Sequence, residues 1–450
     1  MTTSHFGCRI PLDLVGPILE YVWESGSREE SQSDFATIAL TCSAFSQEVE
    51  RILYRSMTSR DLARQSAFIY RTAVDTRRAG YVRTYHTLDL RIWMENMSRS
   101  LNTELTTYLR FLPTALQNMA NLKELYYDTY SPNEQSWVNN ARWRGVPDEI
   151  SSPITLLTDN MPTFPFMLRH FACISHSSNF SSAVPFLESQ SSLHSLTIRT
   201  APTSASSMQK LMNPDILPNL IRLRCANTFA ATIIRNRATR MLALWLNAPA
   251  GRGQPISIFG DTDSSCATGS MEELRYLSFE SPYRDAVRIG SYIVAATERA
   301  DERASKLGSV SWMKDYLQSM QRLECLQILQ APDVEDMEHL KELPSLRVLF
   351  ISRQVLEVTE YVKKMLSIQG LASNLQMPDV DKIISLVIRP ALRQKCPHIK
   401  YLGYFDERVV DDVYEYKVWN VHSDLEDKPE VHTILRVELA SRHVFEILPY

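Results

Sequence analysis

The chain has 450 residues, 44% of them hydrophobic and 22% charged, with a formal net charge of −4; that balance belongs to a folded chain and excludes one dominated by disorder. Mild acidity, with basic clusters no longer than Arg77-Arg78, argues against a nucleic-acid partner, which calls for a concentrated basic stripe. No window is long and apolar enough to cross a bilayer, and the N-terminus lacks a basic segment leading into an apolar core, so no membrane partner is expected and the expected location is cytoplasmic and/or nuclear.

The first predicted helix carries Leu14, Ile18 and Val22 with Val15 and Leu19 beside them, an apolar stripe at spacings of three and four that must be buried against something. Asp13 is its expected cap, with Gly16 and Pro17 in the first turn. Residues 25–34 are polar and read as a loop ending at the N-cap Asp34. A second helix puts Phe35, Ile38, Ala39 and Cys42 on one face, and a third puts Phe45, Val49, Ile52 and Leu53 on one face. So small a unit buries both faces poorly, which leaves apolar surface for a partner.

The residue order Pro11-x-x-Leu14, Ile18-Leu19-x-Tyr21-Val22, Leu40-Thr41-Cys42-x-x-Phe45 and Leu53-Tyr54-Arg55 resembles the F-box motif, in the form common in fungal F-box proteins with degenerate repeats behind it. The resemblance implies docking on a Skp1-like adaptor and, through it, a cullin. The implied contacts are Pro11, Leu12, Leu14, Ile18 and Leu19, followed by Val22, Leu40, Cys42, Phe45 and Leu53. The plainer alternative is three amphipathic helices capping a solenoid.

Residues 61–80 suggest a connecting helix through Leu62, Phe68, Ile69, Ala73 and Val74, ended by Gly80. Beyond it a phrase recurs: an apolar anchor, two variable residues, an apolar residue, one variable, an apolar residue. Its anchors are Leu122, Leu168, Leu193, Leu220, Leu274, Leu323, Leu346 and Ile399, with weaker copies at Leu88-Asp89-Leu90 and Leu242-Ala243-Leu244. Intervals of 25, 27 and 23 residues, and of 54, 49 and 53 at about twice that period, match irregular leucine-rich repeats, each a short strand with a helical return. Pro185, Pro218, Pro344 and Pro397 precede copies and turn the chain from helix to extended backbone. Predicted returns include Ser291–Leu307, a helix near Ser311 through Trp312, Tyr316 and Leu317, and Asp379–Arg393. The tail alternates with period two at Tyr414, Tyr416 and Val418 and again from Ile434, as terminal strands covering a solenoid end do.

The seven cysteines include no Cys-x-x-Cys and read as buried thiols in a reducing compartment, not a disulfide or zinc framework. Phosphate-loop, dinucleotide, zinc-protease and nucleophile-elbow motifs are missing. Asp261, Asp263, Ser265 and Glu272 have calcium-loop spacing, but Cys266 stands where the turn demands Gly. No catalytic residue, metal or cofactor is expected.

The expected fold is therefore α/β: an F-box-like helical module (1–60), a connecting helix (61–80), an irregular leucine-rich-repeat solenoid (81–405) and C-terminal capping strands (406–450). Side chains alternate along a strand, so residues between the apolar positions are expected to face a substrate: Tyr126, Arg199, Arg222, Arg224, Tyr276, Phe350, Tyr401 and Phe405; the alternative is that flanking loops or the terminal strands cover many of them. The expected role is a non-catalytic substrate-recognition adaptor of an SCF-type ubiquitin ligase that binds an unknown protein substrate. The alternative is a repeat scaffold for protein partners with no ligase role.

Overall fold

A computed structural model describes residues 12–25, 101–129, 165–175, 184–198 and 271–280, and, with short omissions, 34–87, 209–245, 310–352, 381–423 and 428–435. The chain is mixed α/β and divides into two compact units, Met1–Phe171 and Ala172–Tyr450. The predicted helix over 291–307 and the calcium-like spacing at 261–265 lie outside the described residues. Among the described residues, no helix is long and apolar enough to cross a membrane.

In the first unit α1 (Leu12–Ser25) runs unbroken through Pro17. Asp13 therefore lies inside the helix instead of capping it, and Pro17 falls beyond the first turn. Val15 and Leu19 pack with Phe35 and with Val49 and Ile52 of α2 (Ser43–Arg55), the core of a small helical group. Between α1 and α2, residues 37–39 are helical. The connecting segment is two helices, α3 (Leu62–Val74) and α4 (Thr76–Ala79). Asp61 caps α3 by accepting from the Arg64 N–H, Asp75 caps α4 through the N–H groups of Arg77 and Arg78, and Gly80 closes α4.

Strands β1 (Ser56–Met57), β2 (Thr84–His86) and β3 (Glu124–Thr129) pair parallel in that order. Helix α5 (Leu101–Asn118) precedes β3 and packs on α3, as a parallel connection requires. The Arg169 and His170 N–H groups, at the start of β4 (His170–Ser175), donate to the Lys123 carbonyl. The weak phrase expected at Leu88–Leu90 lies outside the described residues; the strand formed here is β2, preceded by buried Val82.

In the second unit, α6 (Val184–Ser189) precedes β5 (Ser195–Ile198). It is followed by β6 (Arg222–Ala226), β7 (Met241–Trp245), β8 (Tyr276–Glu280), β9 (Cys325–Ile328), β10 (Val348–Ser352) and β11 (Tyr401–Val410). From β5 to β11 each strand pairs parallel with the next. β7 is the weak copy at Leu242–Leu244, and it accounts for the double interval from Leu220 to Leu274. The return expected near Ser311 is a 3-10 helix, Val310–Ser319, and α7 (Val334–Leu340) lies between β9 and β10. Before β11 a π-type turn, Ile384–Ile388, runs into α8 (Arg389–Lys395). The chain then reverses: β12 (Val413–Asn420) and β13 (Glu430–Leu435) add antiparallel.

All eight strong phrase anchors are buried, each two residues before its strand. In the pairs that are described, the second apolar positions lie in register: Leu196, Leu223, Leu242, Leu277 and Leu326, then Leu349 and Leu402. The result is a row of buried leucines running across the strands, the energetic reason for the phrase.

Candidate functional site

Helix α1 is apolar on two sides. Val15 and Leu19 face the core, whereas Leu14, Ile18 and Tyr21, at spacings of four and three on another face, are 47%, 42% and 74% exposed. Leu40 is 88% exposed in the turn after residues 37–39, where the Leu40 N–H donates to the Thr37 carbonyl and the Thr41 hydroxyl donates to that of Ile38. Glu20 fastens α1 to α2 through Arg51 at 3.0 Å and Arg55 at 3.3 Å. Hydrogen bonding to Glu48, and then to Glu20, holds the Arg51 guanidinium above its ordinary pKa.

The structure thus divides the predicted docking residues. Leu14, Ile18 and Leu40 present apolar surface; Leu19 lies in the core at 1% exposure; Val22, Phe45 and Leu53 pack against that core and are half-buried. Leu12 opens α1, and Pro11 and Cys42 lie outside the described residues. Tyr21, absent from the predicted set, is the most exposed apolar side chain of the helix face.

The predicted substrate residues also divide. Arg222 and Tyr276 are half-exposed and occupy one register row, Ser195–Arg222–Met241–Tyr276–Cys325, which β10 and β11 continue as Val348 and half-exposed Tyr401. Arg224, half-exposed, sits in the next outward row with Thr197, Ala243, Ser278, Gln327, Phe350 and Gly403. In that row Thr197, Ala243, Ser278, Gln327 and Phe350 are buried, as is Tyr126 of β3. Alternation along the strand therefore does not by itself put these side chains in solvent. Phe350 is fully covered and its ring lies over Gly403, where a Cβ would come within 2.1 Å of Cε1. Arg199 lies outside the described residues; Phe405 lies in β11.

A feature that the apolar phrase conceals is the residue after each anchor. Arg55, Arg83, Lys123 and Arg169 stand immediately before β1, β2, β3 and β4, and each N–H in turn donates to the carbonyl of the one before, at 2.8, 2.8 and 2.7 Å. The same step in the second unit is mixed: His194, Ile221, Arg240, Arg275, Glu324, Arg347 and Lys400 are linked in succession, with Ile221 and Glu324 interrupting the basic residues and Glu324 pairing with Arg275 at 3.3 Å. In the first unit the basic step lines a cleft of about 460 Å³. A count of the second residue of each phrase would have exposed this step in the sequence.

Nucleophilic chemistry has little purchase on the described thiols. Cys173, Cys225, Cys325 and Cys396 are free and buried; burial pushes Cys225 and Cys325 well above the ordinary thiol range and Cys396 up to about 11, so these three stay protonated at neutral pH. Among the described residues no His, Cys, Asp and Glu group could hold a metal ion. Comparison with family models and with curated proteins returned no match to the chain.

Proposed function

We propose that this chain is a substrate-recognition adaptor of an SCF-type ubiquitin ligase, docking a Skp1-like protein through an F-box-like N-terminal helical group and selecting a protein substrate on an irregular leucine-rich-repeat array. The observation that carries the reading is the second apolar face of α1. A helix whose core contacts are met by Val15 and Leu19 still holds Leu14, Ile18 and Tyr21 out toward solvent, and exposed apolar surface of this kind marks a protein contact. The residue order across Pro11 to Arg55 supports an F-box partner for it. A strand at every strong phrase, parallel to its neighbour in each described pairing from β5 to β11 and at β3, supports the repeat array. Substrate contact is assigned to the half-exposed side chains Arg222, Arg224, Tyr276 and Tyr401, since Arg beside aromatic residues is the composition of interface hot spots. Bridging the two partners would raise the effective concentration of substrate at the ligase without chemistry by this chain.

Co-expression with Skp1 tests the docking half. Leu14→Asp with Ile18→Asp, both on the surface, should leave the melting midpoint of the chain unchanged. Each loses about 1.5–3 kcal/mol of apolar burial in the complex, so the pair should bind more than about 100-fold more weakly. Failure of the unaltered chain to form a complex sinks the reading.

A further inference from the structure

The cleft in the first unit holds more positive charge than its own carboxylates neutralise, although the whole chain is acid-rich by four charges. Its cationic lining is Arg51, Arg55, Arg83, Lys123 and Arg169; its carboxylates are Glu20 and Glu124. Glu20 is already committed to Arg51 and Arg55. Glu124 accepts a hydrogen bond from the Thr84 hydroxyl at 3.2 Å. Among the described residues Arg83 reaches a backbone carbonyl, that of Asn121 at 3.0 Å, and Lys123 that of Met167 at 3.5 Å. Among the described residues, no carboxylate pairs with Arg83, Lys123 or Arg169.

These three cations stand at the same step of neighbouring strands, fixed there by the backbone hydrogen bonds from Lys123 to Arg83 and from Arg169 to Lys123. Adjacent strands lie about 4.8 Å apart, and like charges set side by side across a sheet repel. Three in succession beside an open cleft are a cost to the free protein that an anion removes. One carboxylate would leave the trio two charges in excess. A phosphate monoester carries about −1.5 to −2 at pH 7, and its several oxygens suit the two-pronged guanidinium groups of Arg83 and Arg169 with the point charge of Lys123 between them. The cleft volume of about 460 Å³ is that of an ordinary small-ligand site.

We propose that this cleft is a binding site for a phosphate monoester, held by Arg83, Lys123 and Arg169. The ester is carried either on a small molecule or on a phosphorylated side chain. The site depends on neither an adaptor nor a ligase, so it stands or falls apart from the function proposed above.

Titration calorimetry on the full chain at low ionic strength, with phenyl phosphate and benzoate as probes, decides it. One equivalent of phenyl phosphate should bind at least ten-fold more tightly than benzoate. Lys123→Ala with Arg169→Ala, which alters only side chains exposed or half-exposed and leaves the backbone ladder in place, should weaken phenyl phosphate at least ten-fold with no fall in the melting midpoint, since it relieves repulsion among the three cations. A phosphoserine peptide and a hexose phosphate distinguish the sources: the one that binds more tightly than phenyl phosphate names the carrier. Equal affinity for benzoate and phenyl phosphate, undiminished binding by the double variant, or no binding to the unaltered chain overturns the proposal.

Discussion

The amide of Gln65, fully buried in α3, reaches the segment before its own helix and β2, and through Tyr85 it is linked to α5. Its Nε2 donates to the carbonyls of Ser59 at 2.7 Å and His86 at 2.8 Å, its Oε1 accepts from the Tyr85 hydroxyl at 3.0 Å, and that hydroxyl meets the Tyr108 hydroxyl at 3.0 Å. Gln65→Leu keeps the volume but strands these groups, and should cost about 2–4 kcal/mol, read as a fall in the urea midpoint. Tyr85→Phe should cost less in that background than alone, because the two side chains belong to one network. Arg237 plays a comparable part in the second unit, donating to the carbonyls of Leu211, Asn213, Ile216 and Ile233. Burial lowers its pKa to about 10; the charge therefore persists at neutral pH, and the burial penalty relaxes only as pH rises past that value. Holding the Ile216 carbonyl also steadies the next residue, Leu217, in a left-handed conformation at φ 59°. None of this was legible in the sequence, where a lone Gln or Arg in a helical stretch reads as solvated surface; burial of a polar side chain is decided by chain segments that meet only in the fold.

The strands, by contrast, were readable because the phrase states its own physics: an anchor to bury, then alternation with period two. Every strong copy became a strand, and the alternation at Tyr414, Tyr416 and Val418 became β12; Ile434 falls in β13, and the alternating residues from 436 on lie outside the described residues. What the phrase could not state is the occupancy of the second sheet face. Phe350 was expected outward and is buried, opposite Gly403 in the β10–β11 register. The glycine is required by this close approach, not by an unusual backbone angle: a Cβ there would lie 2.1 Å from the ring. Gly403→Ala should destabilise the chain by about 1–3 kcal/mol through overpacking, measured by thermal or urea unfolding. Gly403→Ala with Phe350→Leu should recover part of the loss, since the smaller side chain vacates the contested space. Helix α8 is tied in beside this edge: Arg389 and Arg393, four residues apart, both reach the carbonyls at the end of β12, those of Asn420, Val421 and Ser423 among them.

A domain boundary depends on which contacts cross it. Residues 1–60, expected as a module, lie with residues 61–80 inside the compact unit Met1–Phe171. Tyr54 stacks on Phe68 with centroids 5.5 Å apart, and Glu50 of α2 holds both Arg77 and Arg78 of α4 at 2.6 Å. A fragment ending at residue 60 should therefore show little helical circular dichroism. A chain beginning at residue 57 should aggregate, whatever α1 and α2 do, so surface substitutions and not deletions separate a docking role from a capping one. The reversal after β11 bears on the molecule's behaviour toward its own kind. Strands running one way have no inherent number, since an open edge can be extended by any segment bearing the same phrase, including one from a second molecule. β12 changes the hydrogen-bond phase from slanted to perpendicular, and β13, beyond it, begins at the exposed Glu430 after Lys428 and Pro429. The β12–β13 hairpin occupies the free edge of β11, so that edge is not open to a strand from a second copy.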